Sequence, residues 1–204
     1  MSPATRTSHR TAWVAIRAMA LFTLLLGVAY PLAITGIGQL AFPAQANGSR
    51  VTDAAGSSVG SSLIGQQFLT ASGAPDPAFF QPRPSAAGDG YDGAASSGSN
   101  LGPENPDLVA AIGERRAAVA ALNGVPERAV PADAVTASSS GLDPHISVAY
   151  AELQAARVAA ARGLAPADVE ALVAAHTAGP DLGFLGESRV NVLELNLALE
   201  QLRG

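Results

Sequence analysis

Lysine and cysteine are both absent from the 204 residues, and each absence removes whole chemistries. Without lysine, the phosphate loop G-x-x-x-x-G-K-[ST] cannot be completed and Schiff-base catalysis has no amine. Without cysteine there are no disulfides, no thiolate nucleophile, and no cysteine-ligated zinc or iron–sulfur site. Charge is scarce as well: 14% of residues are charged, against ~25% in a typical soluble domain. Part of this chain therefore avoids water. All 12 basic residues are arginine and the net charge is −5. With no basic cluster beyond the first 17 residues, nucleic-acid binding lacks its electrostatic footprint. The length suits one domain of ordinary size with a small appendage.

The apolar surplus is concentrated near the N-terminus. Residues 18–40 (AMALFTLLLGVAYPLAITGIGQL) form a run of 23 without a charge. As a helix the run reaches about 34 Å, enough to cross a hydrocarbon core of ~30 Å. It is read as a retained transmembrane helix. A cleaved signal peptide is the alternative, since Ala44-Gln45-Ala46 fits an A-x-A cleavage site. The run is longer than the ~7–15 residues of an ordinary signal core. Pro31 is tolerated in a membrane helix where a neighbouring helix re-satisfies the freed carbonyl. Ala29, Ala33 and Gly36 share one face. That stripe is either a packing surface for another helix or a product of alanine-rich composition.

Arg6, Arg10 and Arg17 precede the span, and no basic residue follows it until Arg50. By the positive-inside rule the N-terminus is cytoplasmic. The expected organisation is a short cytoplasmic arm over residues 1–17, a membrane helix over 18–40, and a single extracytoplasmic domain over 41–204. That domain carries nine arginines against 17 acids from residue 50 onward, a net of −8, which serves solubility.

Within the domain, Asn47-Gly48 marks a tight turn and a Gly/Ser-rich, hairpin-like run follows. SSLIGQQF (61–68) and AVPADAVTA (129–137) are expected strands. Residues 71–107 show no period and read as long loops. Within them, Arg83-Pro84-Ser85 and Ser97-Gly98-Ser99-Asn100 fit ordered binding loops and disorder equally. Helical periodicity covers 106–122, and a helix is expected from Asp143 as N-cap with Pro144 at its first position, ending at Gly163. Another opens at Pro166 and runs to about His176. The last starts near Asn191, where Asn191 and Glu194 have capping-box spacing. The fold class is α+β.

TASSSGLDPHIS (136–147) gathers hydroxyls, an acid and a histidine. A hydrolase would place its serine on a G-x-S-x-G elbow with base and orienter brought from elsewhere. Here Ser140, Asp143 and His145 crowd one turn, so no catalytic residue is assigned. His9, His145 and His176 are far apart, and neither HExxH nor an EF-hand pattern occurs, so no metal site is assigned. Ser138, Ser139, Ser140 and Gly141 before a helix start fit an anion or nucleotide loop. An Asp143 cap competes for the same amide donors.

The same stretch resembles the TASxSGLDPHIS signature of the KdpC family, the C subunits of the bacterial Kdp potassium-transporting ATPase. YPLAITGIGQLAFPAQANGS, LIGQQF, RPS, GSNLGPENP and RVNVLELNLAL resemble that family's motifs in the same order, from Tyr30 to Leu199. Two positions depart from the pattern: Gln81-Pro82 precede Arg83 where glycine is common, and Ser97 replaces a glycine before Gly98. Both bear on local loop geometry. The resemblance implies a non-catalytic subunit of the inner membrane. Its partners would be a potassium-channel-like subunit, a P-type ATPase subunit and a small single-span subunit. It implies no cofactor of the chain's own, ATP entering through the pump subunit, and a role described in the family as a catalytic chaperone that raises the pump's ATP affinity. If the main domain lies outside, any such effect passes through the membrane helix and the partner. The domain would then brace or cap the potassium-selective subunit, with Asp143, Pro144, His145 and Asn191 shaping it and the loops at Arg83 and Asn100 docking. The rival is a membrane-anchored exterior enzyme or solute-binding module working through loop 136–147.

Overall fold

The computed structural model of the chain describes residues 3–202; the side chains of residues 3–8, Arg6 among them, lie outside the described residues. Two compact units emerge, one ending at Ser49 and one beginning at Arg50.

The first unit is helical. α1 (Pro3–Leu24) continues through a π-helical turn, Leu25–Ala29, into α2 (Tyr30–Ala41). From His9 to Ala41 it is long and apolar enough to cross a membrane. The π turn accounts for Pro31: one wide turn, in which the Tyr30 amide donates to Leu25 O, precedes the proline and absorbs its missing N–H. α3 (Pro43–Ala46) follows. The turn expected at Asn47-Gly48 is present: the Asn47 amide donates to Pro43 O (2.7 Å) and Gln39 Oε1 (3.1 Å), and Gly48 takes φ 85°.

The second unit opens with the expected hairpin, β1 (Arg50–Thr52) against β2 (Ser58–Ser61), turned by Asp53 accepting from the amides of Ala55 and Ser57. No regular helix or strand follows until α4 (Pro106–Asn123), N-capped by Asn105 and closed by Gly124. β3 (His145–Ser147) leads directly into α5 (Val148–Arg162), then α6 (Pro166–Ala175), β4 (Thr177–Ala178), β5 (Arg189–Asn191) and α7 (Val192–Gln201). β5 lies between β3 and β4, antiparallel to both. Apolar faces of α5, α6, α7 and β5 meet in one core through Val158, Val169, Val173, Val190, Leu195 and Leu199. The α+β architecture with one long apolar N-terminal helix is as the sequence indicates.

Three local expectations are corrected. Residues 62–68 do not join a sheet, because their polar groups pair singly: the Gly65 amide with Leu142 O (2.9 Å) and Gln66 Nε2 with Val59 O (2.6 Å). Residues 129–137 form 3-10 turns, Glu127–Ala129 and Ala132–Ala134, instead of a strand; Pro126 and Pro131 start each turn with a fixed φ and no donor. The helix expected at Asp143 begins four residues later. Its cap is Ser147, whose hydroxyl oxygen accepts from Tyr150 N (3.1 Å). Strand pairing of His145–Ser147 with β5 claims the intervening backbone, and Asp133 holds the cap by accepting from Ser147 N and Oγ (2.7 and 2.8 Å).

Candidate functional site

The long irregular segment and the hydroxyl-rich loop fold onto each other as a clamp. Pro84 O accepts from Ser138 N, and Ser140 O accepts from both Ser97 N and Ser96 Oγ, each at 3.0 Å. Ser85 Oγ donates to Gly141 O (2.6 Å) while accepting from the amides of Ala87 (3.1 Å) and Tyr91 (2.9 Å). A single hydroxyl therefore ties three backbone positions. The loops approach so closely that a Cβ on Gly141 would stand 2.6 Å from Ser97 O, and one on Gly98 2.7 Å from Ser139 O.

The clamp is closed by charge. Arg83 Nη1 donates to Asp143 Oδ2 (3.0 Å), and Asp143 Oδ1 accepts from His145 N (3.0 Å) and faces His145 Nδ1 (3.3 Å). Tyr91 OH donates to Arg83 O (2.9 Å), with Asp143 O further away at 3.4 Å. Burial, reinforced by the Asp143 charge, holds the Tyr91 phenol well above its ordinary pKa, so it remains a donor. Tyr91 sits at φ 59°, and Gly65 gives its ring room: any Cβ there would run into Tyr91 and Asp143 O.

Burial alone would raise the pKa of Asp143. The hydrogen bonds from the His145 side chain and amide, together with the Arg83 charge, outweigh it and hold the carboxyl below its ordinary 3.8. A depressed folded-state pKa contributes stability that is complete above the unfolded value and is lost as pH falls through the folded one. Urea midpoints measured from about pH 6 down to about pH 3 are therefore expected to fall more steeply for the wild type than for Asp143→Asn, the gap between the two curves narrowing below about pH 4. Parallel curves would mean that Asp143 has no stabilising partner.

Ser138, Ser139, Ser140 and Gly141 do not precede a helix start. The hydroxyls of Ser138 and Ser140 contact each other (3.2 Å), and the amides of Gly141, Leu142 and Asp143 donate to them. Ser139 is exposed. Among the described residues no hydroxyl of this loop is hydrogen-bonded to His145, and no three His, Asp or Glu side chains are placed to hold a metal. Pro144 O accepts from Val192 N (3.0 Å), binding the loop to α7. Asn191 caps α7 through Glu194 N (3.2 Å) and donates to Ser62 O (2.9 Å). Asn100, at φ 52°, is exposed and outside this network. Ala29, Ala33 and Gly36 are exposed on the N-terminal helix.

Sequence reasoning missed Tyr91, Gly65, Gln154 and Asn196. The last two are buried amides that hold residues 80–81: Gln154 pairs with Gln81 N (2.7 Å) and O (3.1 Å), and Asn196 with Phe80 N and O (both 2.9 Å). The available signal was a polar amide on the apolar face of each helix.

The family model described as "KdpC: K+-transporting ATPase, c chain" matches residues 12–201. The chain is similar to the potassium-transporting ATPase KdpC subunit of Caulobacter vibrioides strain NA1000, at 57% identity over 91% of this chain and 90% of that protein. Its similarity to the same subunit from Beijerinckia indica is 57% over 88% of each chain. For that of Mycobacterium tuberculosis H37Rv it is 54%, over 92% of this chain and 96% of the relative.

Proposed function

The chain belongs to the KdpC family and is an accessory subunit of a potassium-transporting ATPase complex; from that premise we propose that its second unit is an extracytoplasmic brace on the potassium-selective subunit. The observation that carries this reading is the Arg83–Asp143–His145 closure of two otherwise irregular loops. Ordering so much loop costs conformational entropy, which is sensible where a shaped surface must be presented and wasteful in a passive spacer. The charge-free run 18–40 of the N-terminal helix, preceded by Arg10 and Arg17 and followed by no basic residue before Arg50, supports an orientation with this unit outside.

In this reading the helix anchors the chain beside the channel-like, P-type and small single-span subunits. ATP is bound by the pump subunit. The catalytic-chaperone effect on nucleotide affinity then passes through the membrane helix and the pump. The internal use of the amides at residues 141–143 supports this indirect route. Arg83→Ala and Asp143→Ala are each expected to reduce co-purification of the complex and to raise the potassium concentration giving half-maximal ATPase activity several-fold. Thermal melting of each variant separates this from global unfolding. Normal assembly and normal potassium response in both variants would overturn the brace.

A further inference from the structure

Beside the clamp, between α4 and the segment at residues 67–85, lies a cavity of about 440 Å³, within the range that holds small organic ligands. One wall is apolar, built from Leu69, Pro75, Ala118, Val119 and Leu122. Arg83, Arg115 and Tyr150 also line it, Arg115 on the same face of α4 as Ala118, Val119 and Leu122, and no Asp or Glu side chain lines the space. Arg115 donates Nη1 to Val135 O (3.1 Å) and has no carboxylate partner among the described residues. Arg83 keeps its Nε–H buried without a partner. Tyr150 is 3% exposed, and its hydroxyl makes no hydrogen bond among the described residues. Burial, the largest cause, pushes its pKa up to about 12, so the hydroxyl carries a proton to donate. The cleft is open to solvent at Leu69, Pro75 and Ala118, and the Tyr150 hydroxyl, free of a partner among the described residues, lines it together with the Arg115 guanidinium and the apolar wall.

We propose that this cavity binds an amphipathic organic anion, with its carboxylate or phosphate head on Arg115 and the Tyr150 hydroxyl and its apolar body against Leu69, Val119 and Leu122. The proposal is independent of the brace, since it concerns ligand binding and not assembly. A free organic acid and an anionic lipid head share this chemistry.

The test is fluorine NMR of para-trifluoromethylbenzoate with the full chain in phosphatidylcholine nanodiscs, empty nanodiscs serving as the blank. Saturable line broadening is expected, with much weaker broadening for the neutral para-trifluoromethylbenzamide. Losing a charge-assisted contact, Arg115→Gln weakens benzoate binding on the order of tenfold. Tyr150→Phe, which breaks no hydrogen bond within the protein, weakens it several-fold at unchanged melting temperature. Ala118→Phe fills the cavity from the exposed side of α4 and abolishes the broadening. Displacement by octanoate identifies a free acid as the source, and displacement by dihexanoyl phosphatidylglycerol alone identifies a lipid. Absence of saturable broadening, equal broadening by acid and amide, or insensitivity to Arg115→Gln would overturn the site.

Discussion

Gly141→Ala is expected to lower stability by roughly 2–4 kcal/mol and the melting temperature by on the order of 10 °C. Gly141 occupies φ 70°, a region that costs an L-residue roughly 1 kcal/mol. The larger cost is steric: the new methyl would lie 2.6 Å from Ser97 O, 2.7 Å from Ala87 Cβ and 2.8 Å from Ala87 N. Two of those atoms are backbone of the opposing loop, so no rotamer change relieves the clash. Gly124 and Gly163 supply the control, since both have positive φ but open space around the missing Cβ. Alanine there should cost only the conformational share, about 1 kcal/mol. Thermal melting of the three variants in one detergent distinguishes the two contributions. Equal losses at all three positions would mean that the loops do not approach as described. Because the closed clamp is the proposed docking surface, Gly141→Ala should also impair assembly of the complex.

The second large effect is expected at Gln154, which is 0% exposed on α5. Its Oε1 accepts from Gln81 N and Arg157 Nη2, both at 2.7 Å, and its Nε2 donates to Gln81 O. Methionine has similar length and volume, so Gln154→Met removes the polar pairing with little change in packing. It strands two buried backbone groups, and with each unsatisfied group costing roughly 1–3 kcal/mol, a loss near 4 kcal/mol is expected. Arg157, whose pKa burial already lowers, loses a neutral partner as well. The urea midpoint should fall while the slope of the transition stays constant. A loss under about 1 kcal/mol would show that water or relaxation satisfies residues 80–81 without the amide. Asn196→Leu repeats the experiment one residue away, at Phe80 N and O.

These two positions mark where sequence reading stops. The helices were legible from local signals: apolar periodicity over α4, Gly163 after α5, Pro166 opening α6, and Asn191 with Glu194 at α7. The hairpin and the Asn47-Gly48 turn were legible for the same reason, since their hydrogen bonds close within a few residues. At Asp143-Pro144 the local signal was equally strong and still misled. Pairing of His145–Ser147 with β5 brings in Arg189–Asn191, some 44 residues away, and that partnership outweighed the cap. Asp143 instead became an acceptor for Arg83 and His145, so the same carboxylate serves closure of the clamp.

The apolar helix with its flanking arginines, the α+β class, the helix ends other than the start of α5, and, through an ordered set of motifs, the family are therefore all legible in the sequence alone. All of these are written in contacts short along the chain or in composition. Only the tertiary structure decided that Arg83 meets Asp143 across 60 residues, that Gln154 and Asn196 stand in for a missing strand beside residues 80–81, and that Arg115 and Tyr150 share a cavity. Loops with no periodicity have no local preference strong enough to specify a partner. Their geometry comes from satisfying buried polar groups at a distance, and that requirement exists only once the core has brought the segments together.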